Sequence, residues 1–237
     1  VQRMRDPEVR RRILEQKREH RSNLMQQVTQ GFEKMFRLGD PPNYEPAAED
    51  SILAIARREG REPQEVAYDI LLERDGHELI FLPFTNYTER NHEIILEMMK
   101  DDQSLFGLGD GGAHCGLICD ATIPTYLLTH WVRDRNRGER LPLEWIVKRQ
   151  TRDNAEFFGL HDRGTLAPGM KADVNVIDFD RLTLKPPHIV HDLPAGGRRL
   201  VQKAEGYLAT IQSGQVTFEQ GVHSGALPGT LVRGRQK

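Results

Sequence analysis

An apolar run that dissolves into glycine around a single carboxylate constrains this chain most: Leu105-Phe106-Gly107-Leu108-Gly109-Asp110-Gly111-Gly112-Ala113-His114. A short uncharged run reads as a buried strand, and glycines after it let the backbone turn sharply and admit a substrate close to the main chain. Asp110 is therefore the leading candidate for a catalytic acid or base, with Gly111, Gly112 and His114 beside it as pocket candidates. The same residues also suit a strand-end turn in which Asp110 caps the next helix and His114 bonds nearby backbone.

A second run, Leu79-Ile80-Phe81-Leu82-Pro83-Phe84, is equally apolar and also reads as a buried strand, followed by the polar loop Thr85-Asn86-Tyr87-Thr88-Glu89-Arg90-Asn91. A helix over 92–100 separates the two runs. Two buried strands joined by such a helix predict a parallel β-α unit with the loops after each strand on one rim. Asn86 and Tyr87 would then line the pocket that Asp110 faces, although loop hydrogen bonds account for them equally well.

Elsewhere helix signals dominate the first 160 residues. Pro7 stands behind Asp6 as a helix start, and the run to about residue 20 interleaves Arg10, Arg11 and Arg12 with Glu8, Glu15 and Glu19 in the pattern of a solvated face. Leu38-Gly39-Asp40-Pro41-Pro42 signals a loop, helices follow from Ser51 and from Glu62-Pro63, residues 115–133 read as a loop feeding an aromatic-rich helix, and further helices are expected over 142–149 and 152–158. Beyond Gly159 the composition changes. Pro168-Gly169 sets a turn before an alternating strand through Val174 and Val176, and Gln212-Ser213-Gly214 joins 207–211 to 215–218 as a hairpin. The expected division is 1–160 and a β module over 161–237.

Charge excludes some classes. Thirty-three basic residues balance 35 acidic ones to a net charge of −2, so no global field favours nucleic acid or an anionic membrane. Cys115 and Cys119 lie four apart, unable to staple a domain and lacking the Cys-x-x-Cys spacing of a zinc site, which suits a reducing, cytoplasmic setting. There is no apolar run of 18 residues, and Gly109 to Gly112 does not make a dinucleotide fingerprint. His188 and His191 show no ligand spacing, and Trp131 and Trp145 read as helix core. A start at Val1, directly before a helix, reads as a fragment of a longer chain.

The strand ending in Gly-Asp-Gly-Gly-Ala-His, the helical stretch after it and Gly164-Thr165-Leu166-Ala167-Pro168-Gly169-Met170-Lys171-Ala172-Asp173-Val174-Asn175-Val176-Ile177-Asp178 together resemble the carboxyl-terminal portion of the amidohydrolase superfamily. Asp192-Leu193-Pro194-Ala195-Gly196-Gly197-Arg198-Arg199-Leu200 and the segment Gly225 to Gly234 resemble its N-acyl-D-amino-acid deacylase (D-aminoacylase, amidohydrolase 3) branch. The resemblance implies an α/β fold, the carboxyl-terminal part of a zinc-bearing (β/α)8 barrel followed by strands of a small β-sandwich. It also implies that Asp110 stands at the end of the eighth strand, contacts a metal (a second zinc) or its water, and acts as general base and acid.

Two departures accompany it. No His-x-His occurs in the chain, so the remaining ligands should lie in an amino-terminal barrel half, and this chain alone should hold zinc poorly and be inactive. Ile123-Pro124-Thr125 stands where the branch carries Phe-Pro-Arg, and Thr125 cannot pair with a substrate carboxylate as arginine does. The expectation is hydrolysis of a non-peptide amide, foremost an N-acyl-D-amino acid. A cyclic amide or ureide substrate, or a non-catalytic truncated fragment, are the alternatives. Expected partners are the small-molecule substrate, the missing barrel half and a second copy of the chain, not nucleic acid or membrane.

Overall fold

Capping residues set the helices of the first part of the chain. The computed structural model describes residues 1–16, 31–107 and 115–233, in two compact units, Val1–Leu96 and Glu97–Lys237. Asp6 accepts the amides of Glu8 and Val9 at 2.9 and 3.1 Å and starts α1 (Pro7–Glu15), satisfying donors that a helix start leaves unpaired. Along it, Arg11 pairs with Glu8 and Glu15 at 2.8 and 2.7 Å, the solvated face expected of that run. Ser51 accepts the amide of Ala54 at 3.2 Å to open α2 (Ile52–Glu59), and Pro63 occupies the first turn of α3 (Pro63–Leu72).

Helices α2 and α3 pack their aliphatic faces together. Met35, Ile52, Ala56, Val66 and Ile70 form a buried cluster, with Phe32, Ile55, Ala67, Ile80 and Leu82 packed against it. Each large side chain so buried contributes roughly 1.5–3 kcal/mol. Two short strands close this unit, β1 (Phe36–Arg37) and β2 (Ile80–Phe81), antiparallel with Phe36 opposite Phe81.

That pairing corrects the strand reading. The 79–84 run contributes only two ladder residues, and its partner is β1. Residues 105–107 take part in no ladder. The run is half-buried with Phe84 exposed, apolar composition does not give the identity or direction of a partner, and every strand pair among the described residues is antiparallel.

Helix α4 (Glu93–Lys100) carries the chain onward. In the second unit α5 (Ile123–Thr129) runs into a π-helical turn, His130–Asp134, and α6 (Leu143–Gln150) and α7 (Arg152–Phe157) follow. Arg133 donates to the carbonyls of Phe179, Asp180 and Leu182, pinning the turn after β3 (Val174–Ile177).

The remaining strands form three antiparallel sets. β3 joins β8 (Tyr207–Gln212), β9 (Gln215–Glu219) and β10 (Val222–His223) in the order β10-β9-β8-β3. β4 (Thr183–Leu184) pairs with β7 (Ala204–Glu205), and β5 (His188–Leu193) with β6 (Gly197–Val201). The β8–β9 hairpin turns through Ser213 and Gly214, both at positive φ (50° and 78°), the geometry that matches strand twist. Gly206 at φ 100° is required sterically, because a Cβ there would stand 2.6 Å from the Cα of Leu182. The β-rich character expected beyond Gly159 is thus present, and no helix among the described residues is long and apolar enough to cross a membrane.

Candidate functional site

Asp110, Gly111, Gly112 and His114 lie outside the described residues. The segment leading to them is described. Phe106 is buried while Leu105 is partly exposed. Arg149 on α6 donates through Nη2 to the carbonyl and hydroxyl of Ser104 at 2.6 and 2.9 Å and to the carbonyl of Asp101 at 3.3 Å. Its guanidinium lies 5.1 Å from the Phe106 ring and 5.5 Å from that of Trp145, and the two rings meet edge to face. Asn154 on α7 donates to the Phe106 carbonyl at 2.5 Å.

Asn86 and Tyr87, the two loop candidates, are both among the described residues. Asn86 is exposed in a left-handed turn conformation (φ 55°). Tyr87 is buried, its hydroxyl donating to the Pro46 carbonyl at 2.6 Å and its ring set edge-on to Phe36 and His92.

Tyr87 leads instead to a pair that the sequence reading passed over. Glu45 and His92 are both buried; Glu45 Oε1 accepts the His92 amide at 2.8 Å, and Oε2 lies 3.8 Å from His92 Nδ1. The two are 47 residues apart, so no local pattern announces them.

In the second unit Thr125 is buried and its hydroxyl is 2.8 Å from that of Tyr207 on β8. Threonine here ties a helix to the sheet. Tyr126 and His130 stack face to face at 4.6 Å, His130 being the first residue of the π turn, a distortion frequent at functional sites. Trp131 is buried, as a core residue should be, and His188 and His191 lie exposed on β5.

The amidohydrolase family matches residues 11–218. The chain belongs to the amidohydrolase family. It is also 42% identical over 67 residues to the 5-methylthioadenosine/S-adenosylhomocysteine deaminases of two strains of Desulfitobacterium hafniense, DSM 10664 / DCB-2 and Y51. That match covers 26% of this chain and 15% of each relative. No solved structure matches the chain.

For an amidohydrolase the donor chemistry of Glu45 and His92 is apt, since carboxylate oxygen and imidazole nitrogen are common zinc ligands. A metal centre needs three or four protein donors, of which such a pair would be two. Both cysteines of this amidohydrolase are free and half-buried. Burial, reinforced by the Asp120 carboxylate, pushes the Cys119 thiol up, against a backbone hydrogen bond from Gln202. A thiol so held is a poor metal ligand and nucleophile near neutral pH.

Proposed function

We propose that this chain is the carboxyl-terminal part of a metal-dependent hydrolase that cleaves a non-peptide C–N bond, with Asp110 as its proton-transfer group. The observation that carries the reading is the amidohydrolase match over 11–218, which encloses the Gly-Asp-Gly-Gly-Ala-His stretch. Zinc is the proposed metal and Asp110 one of the residues that would hold it or its water. When bound, such a metal supplies Lewis acidity to the carbonyl and acidity to water. Asp110 takes a proton from the attacking water as the C–O bond forms. It returns that proton to the nitrogen as the C–N bond breaks, giving carboxylate and amine.

The substrate proposed first is an N-acyl-D-amino acid, supported by the likeness of residues 192–200 and 225–234 to the deacylase branch. Thr125, occupied by Tyr207, leaves the substrate carboxylate to another cation than the arginine of that branch. Hydrolytic deamination is the second reading, favoured by the 42% identity to deaminases. Both share water addition at carbon followed by loss of nitrogen.

The test is metal content and turnover of the full-length protein on N-acetyl-D-amino acids and on 5-methylthioadenosine, with and without Asp110→Asn. The expected result is bound zinc, hydrolysis of the acyl amino acid, and a loss of about 10²–10⁴-fold in Asp110→Asn with the fold intact. Ammonia release from the nucleoside alone would select the second reading. A folded, metal-free protein indifferent to Asp110→Asn would overturn both.

A further inference from the structure

The two cysteines take no part in the proposed chemistry, and both are fastened to one edge of one strand. Cys115 opens a turn over 115–117, and its carbonyl accepts the Leu200 amide of β6 at 2.7 Å. Four residues on, the Cys119 thiol accepts the backbone amide of Gln202, just beyond β6. Amides two residues apart on an extended chain point the same way, about 6–7 Å from one another. The two ends of the turn are thus anchored at a separation close to the roughly 4.4–6.8 Å between Cα atoms that a disulfide spans. Arg199, the neighbour of Leu200 on β6, lies within electrostatic reach of Cys115, which puts that side chain along the strand as well. Both thiols are free and half-buried, while Leu117 between them is 81% exposed, so the tip of the turn is open to solutes.

We infer that Cys115 and Cys119 form a reversible disulfide, a thiol-modification site that clamps the 115–119 turn to β6 in response to low-molecular-weight disulfides. The inference does not depend on the proposed hydrolysis. Cys119 is the slower thiol, since burial and the Asp120 carboxylate hold it protonated. Cys115 therefore reacts first. Its thiolate attacks the small disulfide, whose S–S bond breaks to release one small thiolate as a mixed disulfide forms on Cys115. The Cys119 thiolate then attacks the Cys115 sulfur, closing the ring and releasing the second small thiolate. Two electrons pass from the protein to the small disulfide, and the two thiol protons end on the two small thiols. Thr122 donates to the Gln202 side chain at 2.6 Å, so closing the turn on β6 also fixes the entry to α5.

The experiment treats the full-length protein with glutathione disulfide, natively and in urea, followed by alkylation and peptide mass mapping. The expected result is a Cys115–Cys119 cross-link within one chain, with both thiols lost together and both regained in dithiothreitol. The equilibrium constant against glutathione should be at least roughly tenfold higher in the native protein than in urea, because the strand holds the two thiols within one another's reach. In Cys119→Ala the mixed disulfide on Cys115 should accumulate. In Cys115→Ala, glutathione should add to Cys119 at least roughly tenfold more slowly than it adds to Cys115 in Cys119→Ala. Hydrogen exchange over 115–122 should slow on oxidation while α2 and α3 stay unchanged.

Equal equilibrium constants in the native and unfolded protein would overturn the clamp, since the strand would then contribute nothing to closure. Cross-links between chains only, glutathione retained on Cys115 without ring closure, or unaltered exchange over 115–122 would each overturn it as well.

Discussion

In the unit Val1–Leu96 the contact between α2 and α3 is aliphatic, with Ile52, Val66 and Ile70 of the two neighbouring helices packed in one cluster. In the unit Glu97–Lys237 arginines do comparable work: Arg133 pins the 179–182 turn, Arg135 lies under the ring of Trp131, and Arg149 gathers 99–106. The difference is one of tolerance. Aliphatic contacts are non-directional and ask for volume, whereas a guanidinium that both stacks and donates in plane asks for geometry. A region built the second way holds irregular backbone in place, which is what a segment without a ladder requires.

The comparison can be broken at its aliphatic end with the largest expected effect. Ile52 is fully buried at the centre of the α2–α3 contact. Ile52→Ala should cost about 2–5 kcal/mol and Ile52→Val only about 0.5–1.5 kcal/mol, read as denaturant midpoints. Equal costs for the two would mean that shape, not volume, governs this unit as well.

At the arginine end the expected cost is smaller but the conservative change should not be spared. Arg135 is 1% exposed, 4.5 Å from the Trp131 ring, and donates to the Glu139 carbonyl at 2.9 Å. Arg135→Lys keeps the charge and forfeits the planar contact, and should cost about 1–3 kcal/mol with a change in tryptophan emission. A lysine variant as stable as the parent, with unchanged emission, would remove the contrast between the units.

The same contrast explains what the sequence disclosed. Helix starts at Asp6, Ser51 and Pro63 and the Ser213-Gly214 turn were legible because each is decided within four or five residues, by a cap, a ring or a positive φ. The partner of Ile80–Phe81 was not, since Phe36 and Arg37 are two residues of an otherwise unpatterned stretch and pairing is decided by tertiary packing. Of the candidate site, the carboxylate Asp110 was marked by its glycines and by family likeness. Glu45 with His92, and Arg149 with Ser104, meet across 47 and 45 residues, and periodicity carries no information about such meetings. The parallel pair of strands assumed behind Asn86 and Tyr87 is not what forms: β2 pairs antiparallel with β1, and Tyr87 gives its hydroxyl to Pro46.

The smallest expected effect lies where an arginine works in solvent. On the β5–β6 hairpin Arg199 binds Asp192 through two parallel hydrogen bonds of 2.7 and 2.6 Å, both side chains exposed. The Arg199 guanidinium holds the Asp192 carboxyl below the usual carboxylate range. A carboxyl whose pKa is lowered by folding contributes stability above its ordinary titration range, and loses it as pH falls through the lowered value. Arg199 stays protonated throughout and adds no pH dependence of its own. Hairpin amide shifts should therefore move with acid only below the ordinary aspartate range. In Arg199→Gln the Asp192 titration should return upward to that range, with little change in overall stability because exposed pairs are screened. A titration of Asp192 that ignores Arg199→Gln would show that the geometry of a fork counts in this unit only where water is excluded, sharpening the distinction between Arg199 and the buried Arg135 and Arg149.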